Sequence, residues 1–144
     1  MKLLTLQFLA LVFSMTLHAQ NGHYFNTNGV AIKGYDPVAY FIQNMAIEGK
    51  DSITADWSGS TWKFSSKENL NLFTKDPEKY APCFGGFCAY GASEKHLSPT
   101  DPNAFTIVNN KLYLNYNLKV KELWIKDTTI RIMNAENYWI TLKK

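Results

Sequence analysis

The residue pattern predicts an α+β fold, with small antiparallel hairpins packed against short helices and a helical C-terminus. Three observations carry this prediction. Alternating apolar runs enclose Ser58-Gly59-Ser60, and a second pair of such runs encloses Asn109-Asn110. Both are the mark of a hairpin around a tight turn. Helix-capping residues stand at Ser65 and Asp127, and from Leu118 onward the apolar spacing is helical.

The segment MKLLTLQFLALVFSMTLHAQ opens the chain, with Lys2 ahead of a mostly apolar run and Leu17-His18-Ala19 as a cleavage site. This is the build of a secretory leader over residues 1–19, and the run is too short and too interrupted to span a bilayer. Export to the periplasm or the exterior is expected, with no membrane span once the leader is cut. Cleavage leaves 144 − 19 = 125 residues, with 14 Lys+Arg against 12 Asp+Glu. That length suits one domain. A charge so small and so evenly spread does not point to nucleic acid. Aromatics make up 15% of the chain, enough to build a dense aromatic core.

Residues 20–29 are polar and Asn-rich and read as a flexible lead-in, so the domain is expected over 30–144. Val30 to Phe41 alternates around Lys33-Gly34, with Asp36-Pro37 as a turn, and reads as two short strands or a strand and a loop. The hairpin Ile53–Phe64 follows. Trp62 and Phe64, two apart, share a face, and Trp57 is in position to meet Trp62. Ser65-Ser66-Lys67-Glu68 fits a capping box with Ser65 as N-cap. The helix it opens carries Leu70 and Phe73 towards the core. Pro77 restarts a helical turn at its first position and Pro82 ends it. After an irregular stretch over Ser93–Asn103 comes the second hairpin, Thr106–Val108 with Leu112–Asn115. In the C-terminal helices Val120, Leu123 and Trp124 sit on one face. Asp127 can cap a last helix with Ile130, Met133, Asn137 and Ile140 at helical spacing.

The order of these signals resembles the exported branch of the YHS-domain family. The resemblance rests on Lys33-Gly34-Tyr35-Asp36-Pro37-Val38-Ala39-Tyr40-Phe41 and on Trp62-Lys63-Phe64-Ser65-Ser66-Lys67-Glu68-Asn69. It continues through Phe73–Pro82, Gly85-Gly86-Phe87-Cys88-Ala89 and Lys111-Leu112-Tyr113-Leu114-Asn115-Tyr116. Modules of this family imply a small α+β unit with cysteines suited to soft metal ions. Here Ala39 follows Asp36-Pro37-Val38, and Phe64-Ser65-Ser66 stands where a further cysteine is expected. The resemblance therefore implies the fold more than it implies a metal site.

Both cysteines of the chain fall in YAPCFGGFCAYGA, Tyr80–Ala92. Cys83, Cys88 and His96 form C-x4-C-x7-H, with His23 as a distant fourth ligand. The spacing matches structural zinc poorly, whereas Cu(I) accepts two thiolates or one thiolate with His96. Gly85 and Gly86 allow a tight turn between the sulfurs. A disulfide between Cys83 and Cys88 is the second reading, favoured by export and excluded if the segment is a regular helix. Two buried free thiols acting as small apolar residues are the third. Redox and hydrolase chemistry are not expected, because no cation lies between Tyr80 and Ser93 and no oxyanion hole is identifiable. The expectation is a non-enzymatic binding module for a soft metal ion, Cu(I) before Zn(II), through Cys83, Cys88 and His96. Its alternative is a disulfide-stapled domain that meets an envelope protein or a small ligand.

Overall fold

The computed structural model describes residues 24–144. The leader expected over 1–19 and His23 lie outside the described residues. Strands β1 (Asn26–Thr27), β2 (Val30–Ala31), β3 (Lys50–Trp57) and β4 (Ser60–Phe64) form one sheet in the order β1-β2-β4-β3. Its neighbours pair antiparallel, except β2 with β4, which is parallel. Strands β5 (Asp101–Val108) and β6 (Lys111–Asn115) form a second, antiparallel sheet. The helices are α1 (Ala39–Ile42), α2 (Lys67–Lys75), α3 (Pro77–Tyr80), α4 (Ala89–Ser93), α5 (Leu118–Lys126) and α6 (Thr128–Leu142). The fold is α+β. Among the described residues no helix is long and apolar enough to cross a membrane.

Both hairpins form at their turn residues. Ser58 and Gly59 take φ of 51° and 78°, and Asn109 and Asn110 take 48° and 61°. Two successive positive φ values give the turn whose twist matches paired strands. On β4, Ser60, Trp62 and Phe64 face inward. Trp62 meets Trp57 at 5.6 Å between ring centroids, and its indole N–H donates to the Trp57 carbonyl over 2.9 Å. Phe73 of α2 closes on the same cluster, 5.1 Å from both Trp62 and Phe64. Gly49 is required just before β3, since a Cβ there would sit 2.5 Å from the Lys63 backbone.

β6 is buried on both faces and divides two cores. Leu112 and Leu114 join Val38, Tyr40, Trp62, Phe64 and Phe73 on one side. Tyr113 joins Phe84, Ala89, Ala92, Trp124 and Ala135 on the other. The strand's period of two does the dividing.

Four expectations are corrected. Tyr24–Gly29 is not a loose lead-in: Tyr24 packs on Trp57 and Trp62, and the Phe25 N–H donates to the Gly85 carbonyl. Beyond Asp36-Pro37 the chain turns into helix α1 rather than a second strand, because Asp36 Oδ1 accepts the N–H groups of Val38 and Ala39. The α2 N-cap is Ser66, whose hydroxyl accepts the Asn69 N–H, and not Ser65. Ser65 is drawn away to Asp36 Oδ2, to which it donates from both its N–H and its hydroxyl. Finally, Leu123 is 42% exposed while Trp124 is buried, so α5 presents a narrower inward face than its spacing suggested.

Asp36 is wholly buried and takes a fifth donor, the Asn69 side-chain amide, at 2.7 Å. All five groups donate, so Asp36 acts as an acceptor throughout. Replacing Asp36 with Ala strands these donors, and each buried donor left unsatisfied costs about 1–3 kcal/mol. The expected loss is about 3–5 kcal/mol of unfolding free energy in urea titration, after the cost of breaking a buried polar network. A loss below about 1 kcal/mol would show that the joint is dispensable.

Candidate functional site

The two cysteines bracket a reversal of the chain. Cys83–Gly86 is a tight turn in which Phe84, Gly85 and Gly86 all take positive φ. The glycine pair thus does give the tight backbone its spacing suggested. Cys88 then serves as N-cap of α4. Its Sγ accepts the Gly91 N–H at 3.4 Å and the Tyr116 N–H at 3.3 Å, while the thiol donates to Asn115 Oδ1 at 3.6 Å. Only 2% of Cys88 is exposed. Burial pushes its thiol pKa up, against the pull of the N–H groups of Gly91, Tyr116 and Tyr90.

Cys83 occupies a different station. It is half-buried and packs beside the second core, to which Tyr113 belongs. Burial raises this thiol pKa as well, with Tyr113 and Lys111 opposing and Glu136 reinforcing. Tyr24, with Glu78 and Cys83 nearby, is pushed up to about 12, chiefly by burial. Cys83 and Cys88 are both free thiols, not joined to each other. Tyr113 and Asn115 are two apart on β6, so the sulfurs address neighbouring positions on the same strand face.

His96 is exposed, its Nδ1 lying 3.4 Å from the Glu94 carbonyl oxygen, and it arches over Gly91. A Cβ on Gly91 would come within 3.3 Å of the His96 ring. Among the described residues no group of three or more His, Cys, Asp and Glu side chains is placed to hold a metal ion. Cys83, Cys88 and His96 therefore form no such group here: Cys83 packs beside the second core, Cys88 is held by the N–H groups of Gly91 and Tyr116, and His96 is exposed.

Two participants escaped the sequence reading. Asn115 is fully buried and accepts the Tyr90 N–H at 3.1 Å as well as the Cys88 thiol. Its Nδ2 has no hydrogen-bond partner among the described residues. Exchanging the two amide atoms would set a donor against the Tyr90 N–H, so that N–H fixes the orientation. Arg131, the only arginine of the chain, clamps α6 to α4. Its guanidinium lies 4.1 Å from the Tyr90 ring centre, donates to Ser93 Oγ at 3.1 Å and pairs with Glu94. A lone Arg among lysines was the available signal, since only its planar fork can stack and bind at once.

A shallow, open depression at the β3–β4 turn is lined by Gly29, Asp56, Trp57, Ser58, Gly59, Ser60 and Thr61. It shares no lining residue with the cysteine segment. Comparison of the chain with protein-family models, with curated proteins and with solved structures gave no match.

The thiols make two measurable statements. At pH 7 the folded protein is expected to react with a thiol reagent slowly at Cys83 and not at Cys88, and to yield both thiols once unfolded. Rapid modification of Cys88 in the native state would contradict its burial. Each thiol pKa is raised in the folded chain above the ordinary 9.0. The stability linked to this is complete below pH 9.0 and is lost as pH rises through the folded values. Tyr24 acts in the same direction from 10.0 to about 12. Urea midpoints should therefore fall steadily above pH 9, and less so in C83S; a flat profile would contradict the assignment.

Proposed function

We propose that this protein is an exported, non-enzymatic binding module of the YHS type. The observation that supports it is the Asp36 joint. Lys33–Phe41 and Trp62–Asn69, two segments on which the resemblance rests, meet at one buried carboxylate through Ser65 and Asn69. A shared motif pair that builds a single joint is a structural unit rather than a coincidence of composition. The groups best suited to chemistry are committed to holding the chain together. Tyr40 donates to the Pro102 carbonyl, Cys88 caps α4, and Arg131 ties two helices. This leaves recognition by surface as the module's means of action.

A soft-metal role, Cu(I) before Zn(II), through Cys83, Cys88 and His96 is the second reading. It is favoured by the backbone N–H groups directed at the Cys88 sulfur, which also suit a thiolate. Metal capture on this reading requires the Cys83–Gly86 turn to rearrange.

Expression with its own leader followed by cell fractionation tests export: periplasmic protein lacking residues 1–19 is expected, and full-length cytoplasmic protein would refute it. Unreduced intact mass should show two full thiols, whereas a loss of two hydrogens would favour the stapled alternative. In a Cu(I) titration against a competing chelator the module reading expects no stoichiometric binding. One equivalent bound by wild type and lost in both C83S and C88S would replace it with the metal reading.

A further inference from the structure

We infer that Asn28 is a self-modification site: its side-chain amide is lost spontaneously to give aspartate and isoaspartate, and the folded turn around it holds that reaction back. The chain contains two Asn-Gly pairs, and Asn28-Gly29 is the one among the described residues. It forms the two-residue turn between β1 and β2, where Thr27 is paired with Val30. Both turn residues are exposed, and a Cβ placed on Gly29 would meet nothing within 4 Å. Water therefore reaches the amide, and no side chain shields the nitrogen that follows it. The turn at Asn109-Asn110 differs, since each of its asparagines precedes a residue with a side chain.

The reaction needs only water. The Gly29 nitrogen gives its proton to water and attacks Asn28 Cγ. The bond from Cγ to the side-chain nitrogen breaks, and that nitrogen takes up a proton and leaves as ammonia. Water then opens the five-membered imide. Cleavage of the new bond gives aspartate. Cleavage of the original peptide bond gives isoaspartate, whose main chain runs through Cβ and Cγ and is one carbon longer.

Ring closure requires the Gly29 nitrogen to eclipse Asn28 Cβ. Asn28 instead takes φ of 53°, in the left-handed region where ψ is about +47°. That conformation swings the next nitrogen to the side opposite Cβ. The Gly29 N–H also donates to Asn26 Oδ1 at 3.0 Å, and the Gly29 carbonyl accepts the Thr61 N–H at 2.8 Å. The turn must open before the nitrogen can attack. Strand β1 has two residues and lies at the edge of its sheet, so this opening costs less than global unfolding. Isoaspartate cannot close the same turn, because the added carbon shifts the Thr27–Val30 pairing. The bond from Thr61 to Gly29, which helps hold β2 beside β4, is lost with it. Asn28 is thus a one-way, time-dependent release of the sheet edge, and it stands independently of the module reading above.

Peptide mass mapping tests the inference on purified protein held at neutral pH, folded and in guanidinium chloride. Fragment ions that separate Asn28 from Asn21 locate the amide-to-acid mass gain. Product at Asn28 is expected under both conditions, about tenfold more slowly in the folded chain. N26A removes the acceptor of the Gly29 N–H and should raise the folded rate about threefold, with no effect in denaturant. In the isoaspartate fraction the Thr61 N–H should exchange with deuterium faster than in unmodified protein. Equal rates in folded and denatured chains would overturn the inference. A denatured chain that keeps its Asn28 amide would do the same, as would a folded rate indifferent to N26A.

Discussion

A buried carboxylate has to be surrounded by donors, and that requirement at Asp36 organises this molecule. One oxygen gathers the N–H groups that start α1, and the other gathers Ser65 and Asn69 at the start of α2. The carboxylate thereby sets the entry of two helices and fixes both to the end of β4. Tyr40, held in place by α1, reaches on to the Pro102 carbonyl and links this joint to the second sheet. A donor lost at the centre would loosen each of these connections in turn, because buried polar networks satisfy their members jointly.

The second constraint is the two-sided burial of β6. Leucines on one face complete the aromatic core built by the first hairpin, while Tyr113 and Asn115 on the other organise the cysteine segment. Cys88 is held by this strand through Asn115 and the Tyr116 N–H, Cys83 packs beside Tyr113's side of it, and burial keeps both thiols protonated to higher pH than a free thiol. The Gly-Gly turn between them is used to direct the chain from the edge of the second core into α4. In this arrangement both thiols are free, Cys88 buried as the N-cap of α4 and Cys83 half-buried.

The hairpins, the aromatic core around Trp62 and Phe73, Pro77 at the head of α3 and the final helices were legible because each depends on local chemistry. Turn residues that accept positive φ, a period of two and a proline at a helix's first position are all written within a few positions of where they act, whereas Asp127, expected to cap α6, makes no side-chain cap bond. The capping box failed by one residue for a reason outside its window. Ser65 and Ser66 are equivalent to local rules, and only the distant Asp36 decides which hydroxyl remains free to cap. The cysteine site failed in the same way, since a C-x4-C-x7-H spacing says nothing of where β6 will pass.

By itself, then, the sequence determined the α+β class, the two hairpins with their turns, and the helical course of α2, α3, α5 and α6, but not of α1 or α4. Those follow from short-range steric and hydrogen-bonding preferences. Tertiary structure alone decided that Asp36 would take five donors, that β6 would separate two cores, and that Arg131 would clamp α6. It also decided that Ile130, Met133 and Ile140 face solvent. A helical period marks a stripe but not its direction. Here the small Ala135 and the reach of Arg131 to Tyr90 and Glu94 let the side of α6 with Ile132, Trp139 and Leu142 face the second core, and the stripe of Ile130, Met133 and Ile140 was left on the outside.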